Sequence, residues 1–253
     1  RSNKGAKSSL ELGMTHRTLK AYEEALKAFK QTIEKYPATE EAYSALDGME
    51  QIYVETNNIE EYIAYTKTLS KMKMQSSTSE DSLTYVTGEL QYMLGNYQQA
   101  AAGLTTYLTR FCPGGRYCVN AMHYAANSYY QLKQYEEALE QYSALADIQG
   151  NPYMEEACMR VAELRYDKQE YRTAQYYFQR MYSVASNSQM RQTALLGMLR
   201  CSHHIQDTTA TIDYAGRLLE IEALDEAIRN EALYCRASAQ HKRGEYGLAV
   251  VDY

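Results

Sequence analysis

Gln134–Tyr142, Q-Y-E-E-A-L-E-Q-Y, decides the reading of this chain, because variants of it return along the whole length. They are Y-E-E-A-L-K-A-F at Tyr22–Phe29, G-N-Y-Q-Q-A at Gly95–Ala100, E-Y-R-T-A-Q-Y-Y-F at Glu170–Phe178 and G-E-Y-G-L-A-V-V-D-Y at Gly244–Tyr253. Aligned on the small residue, the copies fall at Ala25, Ala100, Ala138, Ala174 and Ala249. Weaker copies centre on Tyr62 (N-N-I-E-E-Y-I-A-Y) and Thr211 (T-T-A-T-I-D-Y-A), so the steps are 37, 38, 38, 36, 37 and 38 residues. A fixed period of this size marks a repeat architecture.

About twelve residues before each anchor lies a second helical segment with its own small position: Gly13, Gly88, Ala126, Ala162, Gly197 and Ala237. Small residues there let two helices approach closely, and Leu12, Val161, Leu196 and Tyr129 are expected to fill the space around them. Each unit is therefore a helical hairpin that cannot bury its own apolar face, and stacking neighbours completes the core. The expected fold is all-α, one right-handed superhelical solenoid of antiparallel helix pairs over residues 1–253. Its units run approximately 6–39, 43–76, 81–114, 119–152, 155–188, 190–226 and a truncated 230–253.

Composition agrees. Thirteen Gly and 3 Pro in 253 residues are too few for the turns of an all-β chain. The net charge of -6 argues against nucleic acid as the main partner. No stretch approaches the roughly 18 apolar residues of a membrane span. The chain opens on Arg1 rather than Met and stops inside an apolar pattern at Tyr253, so it reads as part of a longer protein.

Thr39 and Asn151 are expected N-caps, the latter with Pro152 at the first helical position, and Ser77 with Glu80 has capping-box spacing. Cys112 and Cys118 flank a Gly-Gly turn that can bring them within disulfide reach. An oxidising compartment would close the bond and pin the loop. The odd total of five cysteines, with no framework, favours free thiols. Cys201, His203, His204 and Asp207 are the densest metal-like cluster, but Asp207 can cap the next helix and a histidine near a helix C-terminus suits the dipole. No metal, cofactor or catalytic constellation is expected.

The repeat resembles the tetratricopeptide repeat family. The matching residues are Leu12, Gly13, Ala25, Phe29 and Pro37 in the first unit, Gly88, Tyr97 and Ala100 in the third, and Tyr129, Tyr135, Ala138 and Tyr142 in the fourth. The period near 37 and the Tyr-Pro after the first hairpin are similar to a subgroup found in bacterial envelope proteins, including multi-repeat proteins of the Bacteroidetes. This resemblance implies a periplasmic or outer-membrane-associated setting.

The resemblance also implies that the first helix of each hairpin lines a concave surface and carries the ligand contacts. Transferred by position, these are Ser82, Tyr85, Glu89, Tyr92 and Met93 in the third unit. They are Asn120, His123, Asn127, Tyr130 and Gln131 in the fourth, and Glu156, Met159, Glu163, Tyr166 and Asp167 in the fifth, with Tyr234 further on. None is basic, although Lys7, Arg17, Arg191 and Lys242 hold the corresponding places in flanking units. The resulting expectation is a non-catalytic protein- or peptide-binding scaffold whose groove offers aromatic faces beside carboxylates to a segment with basic and apolar side chains. Tyr92, Tyr130 and Tyr166 share one position. They read either as a ladder along the groove or as packing between neighbouring first helices. The alternative function is a structural array segment, assembling with further repeats or an envelope complex, with an idle groove.

Overall fold

The computed structural model describes residues 2–69, 74 and 78–253, the first two by backbone alone. The expected capping box at Ser77 lies outside the described residues. The chain divides into two compact units, Arg1–Lys133 and Gln134–Tyr253. The first holds α1 (Ser2–Thr18), α2 (Tyr22–Lys35), α3 (Glu40–Glu55), α4 (Ile59–Leu69), α5 (Glu80–Met93), α6 (Tyr97–Phe111) and α7 (Cys118–Gln131). The second holds α8 (Tyr135–Asp147), α9 (Met154–Asp167), α10 (Tyr171–Val184), α11 (Ser188–His204), α12 (Thr208–Leu219), α13 (Glu226–Lys242) and α14 (Tyr246–Asp252). Among the described residues there is no strand and no helix long and apolar enough to cross a membrane.

Within each unit, helices pack against their chain neighbours, and first helices also touch the next first helix, as α1 does α3, α5 does α7 and α11 does α13. The anchors explain this closeness, because Ala25, Ala100, Ala138 and Ala174 are fully buried and Thr211 and Tyr62 occupy the same place in the weaker copies. The partner position is equally tight. A Cβ added at Gly13 would come within 2.5 Å of the Phe29 ring, at Gly88 within 2.8 Å of Leu104, and at Gly197 within 2.6 Å of Phe178. Gly48 on α3 meets the other side of the same Phe29 ring, at 2.7 Å, across the joint to the preceding hairpin. Val161 is buried as expected, whereas Leu12, at the same place before Gly13, is 53% exposed.

The hairpin turns share one backbone device. The residue five before each anchor has positive φ: Lys20, Asn57, Gly95, Lys133, Gln169, Gln206 and Gly244. At Gly95 the turn is a Schellman motif, with Asn96 N–H donating to Gln91 O and Gly95 N–H donating to Tyr92 O, both at 2.9 Å. Helix starts are capped by Thr39, Ser79, Asn187, Asp207 and Asp225, whose side chains accept backbone N–H groups of the first turn.

Asn151 does something other than cap. The helix after it starts at Met154, and Pro152 lies in the preceding turn. The Asn151 amide donates to Leu145 O at 2.9 Å and Ile148 O at 2.7 Å, while its Oδ1 accepts from Tyr153 N at 2.8 Å. It is 8% exposed, so it closes the end of α8 and the loop with one buried side chain.

The expectation of free thiols at Cys112 and Cys118 is corrected: the two form a disulfide, with Cα atoms 5.7 Å apart. The Gly114-Gly115 turn folds the loop back, helped by Tyr107, whose hydroxyl accepts from Tyr117 N at 2.9 Å. Cys158, Cys201 and Cys235 are buried thiols.

Candidate functional site

In the first unit, α5 and α7 bring the predicted residues of the third and fourth repeats together. Tyr85 is not an open contact. It is 3% exposed, stacked flat on Tyr117 at 4.3 Å and edge-on to Tyr107 at 5.8 Å. The inward placement follows from the disulfide loop, which carries Tyr117 over the helix. The Tyr85 hydroxyl donates to Glu89 Oε1 at 2.6 Å and accepts from Asn120 Nδ2 at 3.4 Å. Burial, then the bond to Glu89, raises its pKa well above the ordinary tyrosine value, so the proton stays on Tyr85 and Glu89 remains the acceptor. The ring thus orients a half-buried carboxylate and an amide on adjacent helices.

One turn further, His123 and Asn127 are each 9% exposed. Asn127 Nδ2 donates to His123 O at 3.2 Å and faces the imidazole at 3.3 Å from Nδ1. Tyr92 and Tyr130 are half-buried. Tyr92 packs edge-on against Tyr97 at 5.7 Å across the hairpin turn and against Tyr124 of α7 at 4.8 Å. Met93 beside it is 61% exposed.

In the second unit the fifth-repeat residues sit on α9. Met159 and Glu163 are half-buried, and Arg160 Nη1 donates to Glu163 Oε2 at 3.1 Å. Tyr166 repeats the arrangement at Tyr92. It packs edge-on against Tyr171, five residues later, at 5.2 Å, and its hydroxyl meets Nε2 of His204 on α11 at 3.1 Å. His204 in turn lies flat on Tyr171, with centroids 4.2 Å apart and planes 4° from parallel. Tyr234 on α13 is 58% exposed, with His203 6.1 Å away. Arg200 joins α11 to α13 through a two-pronged pair with Glu231, at 2.6 and 2.8 Å.

Tyr92 and Tyr166 are therefore held by ring packing, through the residue five places on and through an aromatic of the next first helix. Tyr124, His204 and the Arg200–Glu231 pair join the face although position within the repeat did not single them out. The residue one repeat after Tyr166 is His203, and the contact is made by His204 next to it.

The metal-like cluster is dispersed. Asp207 Oδ1 accepts from Ala210 N at 3.0 Å, capping α12, and burial pushes the Cys201 thiol up to about 12. His203 is held below its ordinary value by burial, then by Lys242 and His204. Among the described residues no three His, Cys, Asp or Glu side chains are grouped to hold a metal ion.

The family model for the tetratricopeptide repeat matches residues 7–39 and 120–149. No curated protein matches the chain. Among solved structures, YrrB, a tetratricopeptide repeat protein with an unusual peptide-binding site, is similar at a TM-score of 0.51 and 14% identity, over 75% of this chain and 88% of its own. The Naa15/Naa10 complex bound to HypK-THB gives a TM-score of 0.51 at 16% identity, over 98% of this chain and 36% of that one. PilF of Pseudomonas aeruginosa gives 0.45 at 15% identity, over 91% and 97%. At these identities the likeness is one of fold, a tetratricopeptide-like stack of helix pairs compatible with protein interaction.

Proposed function

We propose that the chain is a non-catalytic scaffold whose first-helix faces hold an extended polypeptide segment rich in basic and apolar side chains. The observation that carries the reading is the fixed Tyr85–Glu89–Asn120 arrangement beside Tyr92, His123, Asn127 and Tyr130, because it offers a carboxylate, amides and ring faces without reorganisation on binding. In the second unit the same role falls to Met159, Glu163, Tyr166 and Tyr234. A cation resting on one of these rings contributes roughly 0.5–2 kcal/mol. The disulfide supports an oxidising setting, since cytosolic thiols are kept reduced. Together with the resemblance to envelope proteins, it favours the periplasm or the outer-membrane surface.

The test is selection of extended peptides from a random library on the whole chain, followed by titration of the selected peptides. We expect enrichment of Lys, Arg and apolar residues, and weaker binding by Tyr92→Ala or Tyr234→Ala with helicity retained. Enrichment of acidic peptides, or unchanged affinity in both variants, defeats the reading. Tyr234 is the cleaner probe because its exposed ring can be removed with little loss of packing.

A further inference from the structure

The loop from Cys112 to Cys118, between α6 and α7, is held by its disulfide and by few other contacts. Gly115 N–H donates to Phe111 O at 2.6 Å and Tyr117 N–H to the Tyr107 hydroxyl at 2.9 Å, but Arg116 N–H reaches Asp81 Oδ2 only at 3.4 Å. Asp81 Oδ1 is buried and, among the described residues, has no hydrogen-bond partner. The closed loop therefore carries a cost, which the covalent bond offsets by limiting how far the open chain can spread.

The two sulfurs are not equivalent. Cys112 follows the end of α6 and is half-buried, whereas Cys118 is buried and is the first residue of α7. A helix N-terminus favours negative charge, and the Arg116 guanidinium is near, 5.6 Å over the Tyr117 ring. Thiol exchange is fastest when the attacked sulfur is accessible and the departing thiolate is stabilised, so attack at Cys112 with departure of Cys118 is the favoured direction. Next to the departing sulfur stands Tyr117, the ring that covers Tyr85.

We propose that the Cys112–Cys118 bond is a reducible switch on the first-unit groove, opened in the folded chain by a dithiol. One thiolate of the dithiol attacks Cys112 Sγ, a new S–S bond forms to the reductant, and Cys118 Sγ leaves with the electron pair. The second thiolate displaces Cys112 and closes the disulfide of the reductant. Two electrons pass to the protein, each of its sulfurs takes up one proton, and the reductant gives up two. Tyr117 is then free to leave Tyr85, whose hydroxyl no longer fixes Glu89 and Asn120. The oxidised loop presents these groups already ordered, and the reduced loop has to order them on binding. The effect on binding rests on the scaffold reading above; the opening of the loop does not.

The test is treatment of the whole chain with dithiothreitol in native buffer, followed by maleimide labelling, mass spectrometry and tyrosine dichroism. We expect label on Cys112 and Cys118 but not on the buried thiols Cys158, Cys201 and Cys235, which report that the fold is intact. The tyrosine band should fall on reduction and return on reoxidation, and glutathione should be trapped on Cys112. Acetyl-Lys-Leu-Lys-Leu-Lys-Leu-amide should bind the reduced chain roughly fivefold or more weakly. Tyr117→Ala should bind it as weakly while oxidised and lose the response to reduction. Label that appears on all five cysteines together, an unchanged band after full reduction, or equal affinity in the two states overturns the proposal. A chain that binds the peptide in neither state counts against the scaffold reading, and labelling and dichroism then decide the switch by themselves.

Discussion

Tyr117 lies flat on Tyr85, with ring centroids 4.3 Å apart and planes 5° from parallel, one residue before a disulfide cysteine. The contact connects a covalent loop to the face of a first helix. Through the Tyr85 hydroxyl it reaches Glu89, so the geometry of the candidate groove depends on a bond that is remote in sequence.

The Cys112→Ser/Cys118→Ser double variant should therefore lose stability and local order together. Opening a loop of this length costs roughly 2 kcal/mol in the chain-entropy picture. The chain has no Trp and 26 Tyr, so near-ultraviolet dichroism reports tyrosine packing directly. We expect a lower melting temperature and a diminished tyrosine band while far-ultraviolet helicity persists. An unchanged band would show that Tyr117 stays on Tyr85 without the disulfide.

Two glycines in neighbouring helices should respond oppositely to the same substitution. A Cβ at Gly197 would lie 2.6 Å from the Phe178 ring, so Gly197→Ala is expected to destabilise by about 1–3 kcal/mol. Gly216 in α12 has nothing within 4 Å of a new Cβ, so Gly216→Ala should be neutral or stabilise by about 0.5–1 kcal/mol. Denaturant unfolding of both variants distinguishes a packing glycine from an incidental one.

His203 gives the second unit a defined response to acid. Burial, Lys242 and His204 hold its folded pKa below the unfolded value of 6.5, with Glu231 opposing. The neutral ring is favoured in the folded state, so its contribution is present above pH 6.5 and is lost as pH falls through the folded pKa. Thermal melts between pH 7.5 and 5 should show a drop toward acid that His203→Gln reduces. An equal drop in both proteins would assign the effect to other groups.

The hairpins and their close contacts were legible in the sequence because they rest on one local rule, a small residue facing a large one, repeated at fixed spacing. Gly13 against Phe29 and Gly197 against Phe178 are such pairs. The orientation of Tyr85 was not legible, since it depends on Tyr117, which belongs to a loop rather than to the repeat. Asn151 was misread for a related reason: Asn before Pro has the chemistry of a cap, but the buried carbonyls of Leu145 and Ile148 claimed the amide. The left-handed turn residues left only two traces, Gly95 and Gly244, because the other five turns use residues that carry a side chain.

Those five turns, at Lys20, Asn57, Lys133, Gln169 and Gln206, hold φ between 58° and 61° with a Cβ present. Four of the five are Lys or Gln, for which this conformation is strained, and a repeat chain's stability approximates a sum over its units and their joints. The turns are therefore five separate adjustments of stiffness. Glycine at any one would relax a single hairpin while leaving every groove and core residue untouched. Rigidity in this chain can be graded unit by unit, independently of what its surfaces bind.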